Sequence, residues 1–487
     1  MRKKGADDPR LNHGISRRAF AKTSVAAGAA AVALPGSVRG EMVSRIARPA
    51  QGPGKAHPPG WAHGRTIPAE LYLDESRYLA DEKYLADNLW IYVDHVARIP
   101  NPGDFFVFEY GRSESILVVR GKGGEVKAFY NVCRHRGSRL CRHDADAPPG
   151  DPRLSVKQLG QSGNSPVFRC PYHAWTYDTE GSLIYAYGMQ DDFNPAENGL
   201  LPCHMNIESG NIFINMSRQA EPPDFDTEVA QLRRLGERYG MADLQIGARD
   251  QYVIKANWKL AIENFLECYH CGPAHASLVT THHWDEEGTR EQWAERSAKV
   301  RDWAPDAGRQ RYYGDNVEGA QATGMGGGMG GGDSDSTAED GPWPSTSGML
   351  NPGFVTGSMD GKPVAPLLPN IKEWGHQSSV VTTGWSTGYW QCYDDHIAVA
   401  RFTPRDVDHT DAEIIWLVHP DAVAGRDFEP DDVKALWHVT IQEDNWITAN
   451  NHNGIRSGAY GSGRYSGSEL SLVAFMDWYM NEVVPAG

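Results

Sequence analysis

Hydrophobic and polar positions alternate with two different periodicities along the chain. Between 68 and 89, apolar residues recur at mixed three- and four-residue spacings, which is typical of a helix. At 105–120 two apolar runs flank a polar centre, which predicts two strands, and 121–124 predicts a turn before a strand at 126–132. These strands, with loops that carry potential metal ligands, predict a small β domain at 68–220.

The second half of the chain mixes both periodicities after an acidic, proline-rich link at 221–224. The helical patterns cover 228–239, a segment from Asn257, 431–450 and 469–483, and the strand-like patterns cover 251–254, 378–403 and 412–418. Strands mixed with long helices predict an α+β domain at 221–487, in which helices pack on an antiparallel sheet. A glycine-rich stretch at 323–342 is predicted to be a flexible insertion or a lid.

Length and charge narrow the classes of protein that fit. A chain of 487 residues is too long for one hydrophobic core, so two domains with insertions are expected. The formal net charge of −16 argues against a nucleic-acid partner, which needs a basic surface. Two of the seven cysteines belong to a metal motif, and the other five form no recognisable disulfide framework. This pattern favours metal loading in a reducing compartment.

The N-terminus carries a candidate export signal. Residues 16–22 have the sequence S-R-R-A-F-A-K and precede a short apolar stretch at 23–35. A twin arginine before such a stretch is typical of Tat export, so we predict a signal at 1–40, a linker at 41–67 and a periplasmic location. The alternative is a disordered basic tail on a cytoplasmic protein. The apolar stretch is too short to span a bilayer, so no stable membrane insertion is expected.

A first ligand constellation combines Cys133 and His135 with Cys170 and His173. Two thiolates and two imidazoles are the ligand set of a Rieske [2Fe–2S] centre, in which two histidines replace two cysteines on one iron. The alternative is a Cys₂His₂ zinc site, but these spacings differ from those of zinc fingers. The histidines are expected near the surface, where electrons enter and leave.

A second constellation follows about a hundred residues later. On the helix predicted from Asn257, Glu267 and His270 share one face, and a Gly-Pro pair ends the helix so that His275 can reach a metal held by His270. Two imidazoles and a carboxylate are the ligands of a facial-triad site for non-haem Fe(II). The alternative is a structural helix whose glutamate and histidines are satisfied by ordinary hydrogen bonds.

Three segments strongly resemble the Rieske non-haem iron oxygenases, the ring-hydroxylating oxygenase α-subunit family. They are N-V-C-R-H-R-G-S-R-L at 131–140, C-P-Y-H-A-W-T-Y at 170–177 and N-W-K-L-A-I-E-N-F-L-E-C-Y-H-C-G-P-A-H at 257–275. The resemblance implies a helix-grip (START-like) catalytic domain, a Rieske [2Fe–2S] cluster, a mononuclear Fe(II) and O₂ as co-substrate. It also implies a terminal oxygenase with a separate reductase or ferredoxin, a small-molecule substrate and a head-to-tail homotrimer.

The same resemblance assigns individual roles around the iron. It makes His270 and His275 iron ligands, and it makes Glu267 the carboxylate that links His270 to a cluster histidine, His173, of the neighbouring subunit. Asn264, which lies one turn earlier, would position substrate or oxygen, or would serve as a structural hydrogen-bonding residue.

The third iron ligand is expected from the segment I-Q-E-D-N-W-I-T at 441–448, where the resemblance points to Asp444 and leaves Glu443 as the neighbouring alternative. Cys268 and Cys271 are interpreted as packing residues rather than ligands. The chain also departs from the family, because 144–166 is predicted to be a surface insertion and Ala174 stands where relatives have glycine.

The substrate class is suggested by a narrower resemblance. Glu267, the run E-C-Y-H-C and the segment N-N-H-N-G-I-R-S-G at 450–458 resemble quaternary-ammonium oxygenases that act on glycine betaine or carnitine. An ammonium group favours an aromatic cage, for which the candidates are Trp385, Tyr389, Trp390 and Tyr393, although an aromatic strand is also typical of a core. The alternatives are an aromatic ring-hydroxylating dioxygenase or demethylase and, further away, an exported Rieske electron carrier.

Overall fold

The computed structural model describes residues 61–112, 114–141, 161–282, 311–312, 346–351, 353–375, 377–383, 387–466 and 469–486. The export signal predicted at 1–40 and the glycine-rich insertion at 323–342 lie outside these residues, as do most of the linker and most of the insertion at 144–166. The signal and the cellular location therefore stay predictions. In the described part of the chain, no helix has the length and apolar composition needed to cross a bilayer.

Short strands dominate the first half of the described chain, after two helices. The helices are α1 (Glu70–Leu73) and α2 (Glu75–Asn88), and the strands are β1 (Ile91–His95), β2 (Asp104–Tyr110), β3 (Glu114–Arg120), β4 (Val126–Tyr130), β5 (Ser162–Asn164), β6 (Val167–Arg169), β7 (Thr176–Asp178), β8 (Leu183–Tyr185), β9 (His204–Glu208) and β10 (Asn211–Asn215). They form three antiparallel sheets, with the strand orders β4-β3-β2-β5, β6-β7-β8 and β1-β10-β9.

The second half contains one large sheet and the longer helices. Its helices are α3 (Phe225–Glu228), α4 (Ala230–Tyr239), α5 (Trp258–Phe265), α6 (Cys271–Ala274), α7 (Ala276–Thr281), α8 (Pro430–Ile455), α9 (Leu470–Trp478) and α10 (Val484–Ala486). Its strands are β11 (Gln245–Ile254), β12 (Arg311–Tyr312), β13 (Thr346–Met349), β14 (Gln377–Thr383), β15 (Gly388–Cys392), β16 (His396–Asp406) and β17 (His409–Val418). The sheet order is β11-β17-β16-β15-β14-β13-β12, antiparallel except where β12 meets β13. The predicted α+β class is confirmed.

The two faces of the large sheet pack against different partners, because side chains alternate along each strand. On β15, Tyr389 faces a core that includes Phe265 of α5 and Trp437 of α8. Trp390, the next residue, packs on the other face against Tyr92 of β1, with ring centroids 5.0 Å apart. At β15, helices α5 and α8 therefore contact one face of the sheet, and strand β1 contacts the opposite face.

A buried ion pair fixes α5 against α2. Lys259 Nζ lies 2.6 Å from Asp81 Oδ2, and both side chains are fully buried. Burial lowers the pKa of Lys259, and the Asp81 carboxylate opposes that effect. Arg77 and the Tyr479 hydroxyl also donate to Asp81. An unpaired charge at this depth would be very unfavourable, so this network fixes where α5 begins.

The helix at 257 differs from the sequence expectation in where it ends. Asn257 caps its start, because its side chain accepts a hydrogen bond from the Lys259 N–H. The helix stops at Phe265, so Glu267 and His270 lie in the turn that follows rather than on one helical face, which corrects the prediction. The Gly-Pro pair lies inside the single turn Cys271–Ala274 instead of ending the longer helix.

Candidate metal centres

The first candidate centre lies at the ends of two loops in the small β domain. Cys133 follows β4, and Cys170 lies between β6 and β7; both side chains are buried. His135 and His173 are exposed, and their ring centroids lie 4.6 Å apart. Two inner sulfurs beneath two outer imidazoles match the donor set of a cluster with one thiolate-bound and one imidazole-bound iron. All four predicted ligands are thus brought together.

Local contacts hold the loops in this arrangement. The Tyr177 hydroxyl lies 3.4 Å from Cys133 Sγ and accepts a hydrogen bond from the Arg134 N–H at 3.0 Å. Trp175 stacks on the His135 ring with an interplanar angle of 10°. Burial raises the pKa of the Cys133 thiol, and the hydrogen bond from Tyr177 opposes that shift. A metal cluster would compensate the buried thiolates.

Ala174 adopts a backbone conformation that favours glycine. Its φ is 63°, in the left-handed region that residues with a Cβ seldom enter. The Ala174 N–H donates to the Cys170 carbonyl at 3.0 Å, so the tight turn carries both Cys170 and His173. The small side chain is accommodated here, as the sequence suggested.

The second candidate centre brings together ligands that are distant in the sequence. His270 Nε2 and His275 Nε2 lie 3.1 Å apart. Asp444 Oδ1, from the middle of α8, lies 3.2 Å from the first nitrogen and 3.0 Å from the second. That oxygen makes no aligned hydrogen bond within the described residues, although Asp444 is buried. Three donor atoms that point at one position fit a facial triad for a divalent iron.

Two further carboxylates orient the imidazoles from behind. Glu267 Oε1 lies 2.5 Å from His270 Nδ1, and Glu443 Oε2 lies 2.9 Å from His275 Nδ1. A carboxylate on one ring nitrogen fixes the tautomer and directs the other nitrogen to the metal. This geometry favours Asp444 over Glu443 as the third ligand. The sequence did not suggest the orienting role of Glu443; its position beside Asp444 was the available signal.

The site is electrostatically prepared for a cation. Burial disfavours the charged form of His270, but the nearby carboxylates of Asp444 and Glu267 outweigh it and raise its pKa to about 9. The pKa of His275 is raised for the same reasons, with Asp444 and Glu443 as its partners. Burial alone would raise the pKa of Asp444, yet the two imidazoles hold it below its usual value. Concentrated negative charge favours a metal ion in this position.

Asn264 and the two nearby cysteines complete the surroundings. Asn264 Nδ2 lies 3.4 Å from His270 Nε2, so its amide borders the side of the imidazole that faces the ligands. Cys268 and Cys271 are buried and form a disulfide, with Cα atoms 4.8 Å apart, which corrects the expectation of no disulfide pairing among the five cysteines outside the metal motif. Their spacing across the turn after α5 makes this pairing possible. Cys271 Sγ lies close to the two ligand imidazoles, but the disulfide engages it.

The candidates for an aromatic cage separate into different environments. Tyr389 faces the helices and lies near Asp444, whose charge contributes, after burial, to a raised pKa of the phenol. Trp390 packs on the opposite face of the sheet and donates to Asn211, so it lies away from the iron ligands. Tyr393 contacts His282 and Trp437 by hydrogen bonds, and Trp385 lies outside the described residues.

A cluster site on a small β domain and a two-histidine, one-carboxylate site on a helix-covered sheet define an oxygenase of the Rieske non-haem iron class. Residues 241–484 match the family model described as "Ring hydroxylating alpha subunit (catalytic domain)", and residues 89–194 match the "Rieske [2Fe-2S] domain". The chain therefore belongs to the ring-hydroxylating oxygenase α-subunit family. Membership implies a cluster, a mononuclear iron and a separate reductase.

Individual relatives share this organisation. The glycine betaine monooxygenase oxygenase subunit of Pseudomonas aeruginosa is 29% identical over 434 residues, which cover 87% of this chain and 90% of that protein. The carnitine monooxygenase oxygenase subunit of Escherichia coli is 34% identical over 217 residues, 43% of this chain and 52% of that protein. The crystal structure of a quaternary ammonium Rieske monooxygenase superposes with a TM-score of 0.61 at 21% identity, covering 86% of this chain and 95% of the other, which shows a common fold.

Substitutions of the two neighbouring acids should have unequal effects. We expect Asp444→Ala to abolish binding of the mononuclear iron, because it removes a ligand, and Glu443→Gln to weaken iron affinity by only about 10–100-fold. Iron content and the visible spectrum of the cluster measure the two centres separately. His438→Ala is the matched control on α8, because that imidazole contacts Asp250 and Tyr252 instead. Loss of iron from the Glu443 variant and retention by the Asp444 variant would reverse the assignment.

The affinity of the mononuclear site for a metal ion should depend on pH. The His270 pKa of about 9 lies above its ordinary 6.5, so its protonation stabilises the metal-free protein below 6.5, and that contribution is lost as pH rises through about 9. Metal binding requires both imidazoles to be neutral, so Co²⁺ affinity, titrated anaerobically, should rise at least about tenfold per pH unit towards 9 and then level off. In Glu267→Gln the plateau should begin at lower pH. An affinity independent of pH over this range contradicts the expectation.

Proposed function

We propose that this oxygenase hydroxylates a small quaternary-ammonium substrate that carries a carboxylate, of the glycine betaine or carnitine type. The observation that carries the proposal is similarity along most of both chains to a glycine betaine monooxygenase oxygenase subunit. Aromatic side chains beside the iron ligands support it: Tyr389 and Trp437 have ring centroids 6.2 Å apart, and Phe265 packs against Tyr389 at 5.9 Å. Such a surface can attract an ammonium group by cation–π interaction.

The residues around the two centres divide the work. Cys133, His135, Cys170 and His173 would hold a [2Fe–2S] cluster that receives electrons from the separate reductase. His270, His275 and Asp444 would hold the mononuclear Fe(II), which supplies activation of the co-substrate O₂ when bound. Glu267 holds His270 in orientation through Nδ1, and its carboxylate can accept a proton there. Asn264 offers an amide beside the same ring, where it would orient substrate or O₂.

We further propose a head-to-tail homotrimer in which electrons pass between subunits. The exposed His135 and His173 lie among exposed arginines, including Arg134 and Arg136. On the catalytic domain, the exposed aromatic residue Tyr269 adjoins Glu267 and His270. Exposed arginines on one surface and an exposed aromatic side chain on the other suit these two surfaces for contact in a closed ring of identical, heterologous interfaces.

Complementation between inactive chains tests electron transfer across subunits. Cys133→Ser should remove the cluster, and Asp444→Ala should remove the mononuclear iron, so each protein alone should be inactive. Coexpressed chains should recover activity, because about a quarter of the interfaces in randomly mixed rings pair an intact cluster with an intact iron site. Transfer within one chain predicts no recovery. A double variant carrying both substitutions, coexpressed with either single variant, is the control for mixing.

A panel of substrates in a single turnover tests the substrate class. Iron-loaded, pre-reduced protein exposed to O₂ should convert glycine betaine or carnitine, with release of an aldehyde, because hydroxylation next to the ammonium nitrogen gives an unstable product. Aromatic compounds are the competing class, supported by 32% identity over 226 residues, 45% of this chain, to the chlorobenzene dioxygenase α subunit of Cupriavidus sp.. Products from aromatic compounds alone would refute the quaternary-ammonium proposal. Protein with the Asp444→Ala substitution controls for iron in solution.

A further inference from the structure

Two buried N–H donors without acceptors lie in one row across the large sheet. The Gln391 side-chain amide nitrogen Nε2 and the Trp416 indole nitrogen Nε1 make no hydrogen bond in the part of the chain that the structure describes, and both residues are fully buried. Burying a donor without an acceptor is unfavourable, and native proteins seldom retain one without a reason. A ligand that supplies acceptors would account for both.

The strand register brings these donors onto the same patch of the sheet. Gln391 of β15 pairs with Ala398 of β16, and Ala398 pairs with Trp416 of β17. Neighbouring strands are about 4.8 Å apart, so the two long side chains stand about 10 Å apart at their Cα atoms. The residue between them is only an alanine, so the long side chains flank a position with a short one.

This row lies on the face of the sheet that contacts α5 and α8. Trp416, Ala398 and Tyr389 belong to one core with Trp437 and Phe265, whereas Trp390 and its neighbours on the alternate positions belong to another. The Tyr389 hydroxyl donates to Gln391 Oε1 at 2.9 Å, which leaves Nε2 on the other side of the planar amide. Tyr389 in turn packs against Phe265, at the end of α5, and against Trp437 of α8. Gln391 is thus one hydrogen bond beyond a residue that contacts both of the helices next to the candidate iron ligands.

Trp258 Nε1 also lacks an acceptor among the described residues, but that indole lies on α5 against Phe475 and Tyr479, outside this row. Two other buried indoles do have acceptors. Trp437 Nε1, on the same side of the sheet, donates to the Tyr393 hydroxyl at 3.0 Å, and Trp390 Nε1, on the far side, donates to Asn211 Oδ1 at 3.0 Å. Their partners come from the protein. Trp416 has an equally buried indole, but its N–H is left for another molecule.

We propose that Gln391 Nε2 and Trp416 Nε1 bind the carboxylate of the substrate. A carboxylate has two oxygens and can accept from both donors at once, whereas a cation would be repelled by them. Asp444, Glu267 and Glu443 lie at the metal site, and their three negative charges exceed the two positive charges of a ferrous ion, so the ammonium end of a zwitterion is favoured there over the carboxylate end. This inference rests on the proposed substrate class and adds the orientation in which such a substrate binds.

Binding to matched ligands and variants tests this subsite. In the oxidised holoenzyme, which does not turn over, calorimetry would compare glycine betaine with choline, which keeps the trimethylammonium group but has a hydroxyl in place of the carboxylate. Gln391→Glu keeps an acceptor for Tyr389 but replaces the donor with a negative oxygen, so glycine betaine should bind about a hundredfold more weakly. Trp416→Phe should weaken glycine betaine binding about tenfold. The affinity for choline should change less than threefold in either variant.

A second tryptophan supplies the control. Trp390→Phe removes an indole N–H from the far face of the same sheet, so we expect the ratio of the affinities for glycine betaine and choline to be unchanged. Equal losses for glycine betaine and choline in the Gln391 and Trp416 variants would assign these residues a structural role and overturn the proposal. Unchanged affinity for glycine betaine would overturn it as well.

The substrate class and the subsite can fail separately. If the enzyme converts quaternary amines but both variants bind glycine betaine normally, the subsite is wrong and the proposed function stands. If the wild type converts only aromatic compounds, benzoate and toluene replace the two ligands, and a selective loss of benzoate binding in Gln391→Glu would retain the carboxylate subsite without the amine. A wild type that binds neither carboxylated compound more tightly than its uncharged or cationic counterpart overturns the subsite in both cases.

Discussion

The convergence of three donor atoms on one point is the constraint on which the catalytic half of the structure depends. His270 and His275 lie in the turns after α5, and Asp444 lies in the middle of α8, yet their donor atoms meet within 3.2 Å. Such a meeting requires both helices to lie on the same face of one sheet at a fixed spacing. The large sheet, the cap at the start of α5 and its buried ion pair all serve that requirement.

Electrostatics explains why the centre is built with more acid than the metal alone needs. One carboxylate contacts both inner ring nitrogens, and Glu267 and Glu443 each contact an outer one. In the absence of metal, this excess charge raises the pKa of both imidazoles, and protons therefore occupy the site. The same carboxylates keep the rings aimed correctly once a cation replaces the protons, so one set of groups both tunes and positions the ligands.

The sequence grouped the candidate ligands more accurately than it predicted the local backbone. Cys133, His135, Cys170 and His173 were recognisable because their short spacings constrain geometry on their own, and the structure brings them together. The end of α5 was misjudged, because Glu267 and His270 continue a helical spacing that the chain itself abandons after Phe265. Pairing of Cys268 with Cys271 depends on that same turn. Tyr389 and Trp390 are adjacent aromatic residues on one strand, so they point to opposite faces of the sheet. Which of the two faces the helices is known only from the structure.

The ion pair between Lys259 and Asp81 has a consequence for how such proteins can be divided. Asp81 belongs to a helix that precedes the β domain in the chain, but its partner lies in the catalytic half, and Tyr72 of the preceding helix likewise donates to Glu263. A catalytic half produced without the residues before it would leave the buried Lys259 without its carboxylate partner. Helices α1 and α2 therefore stabilise the catalytic half although they precede the strands of the β domain in the chain. Recombination during evolution would have to transfer these two helices together with the catalytic half.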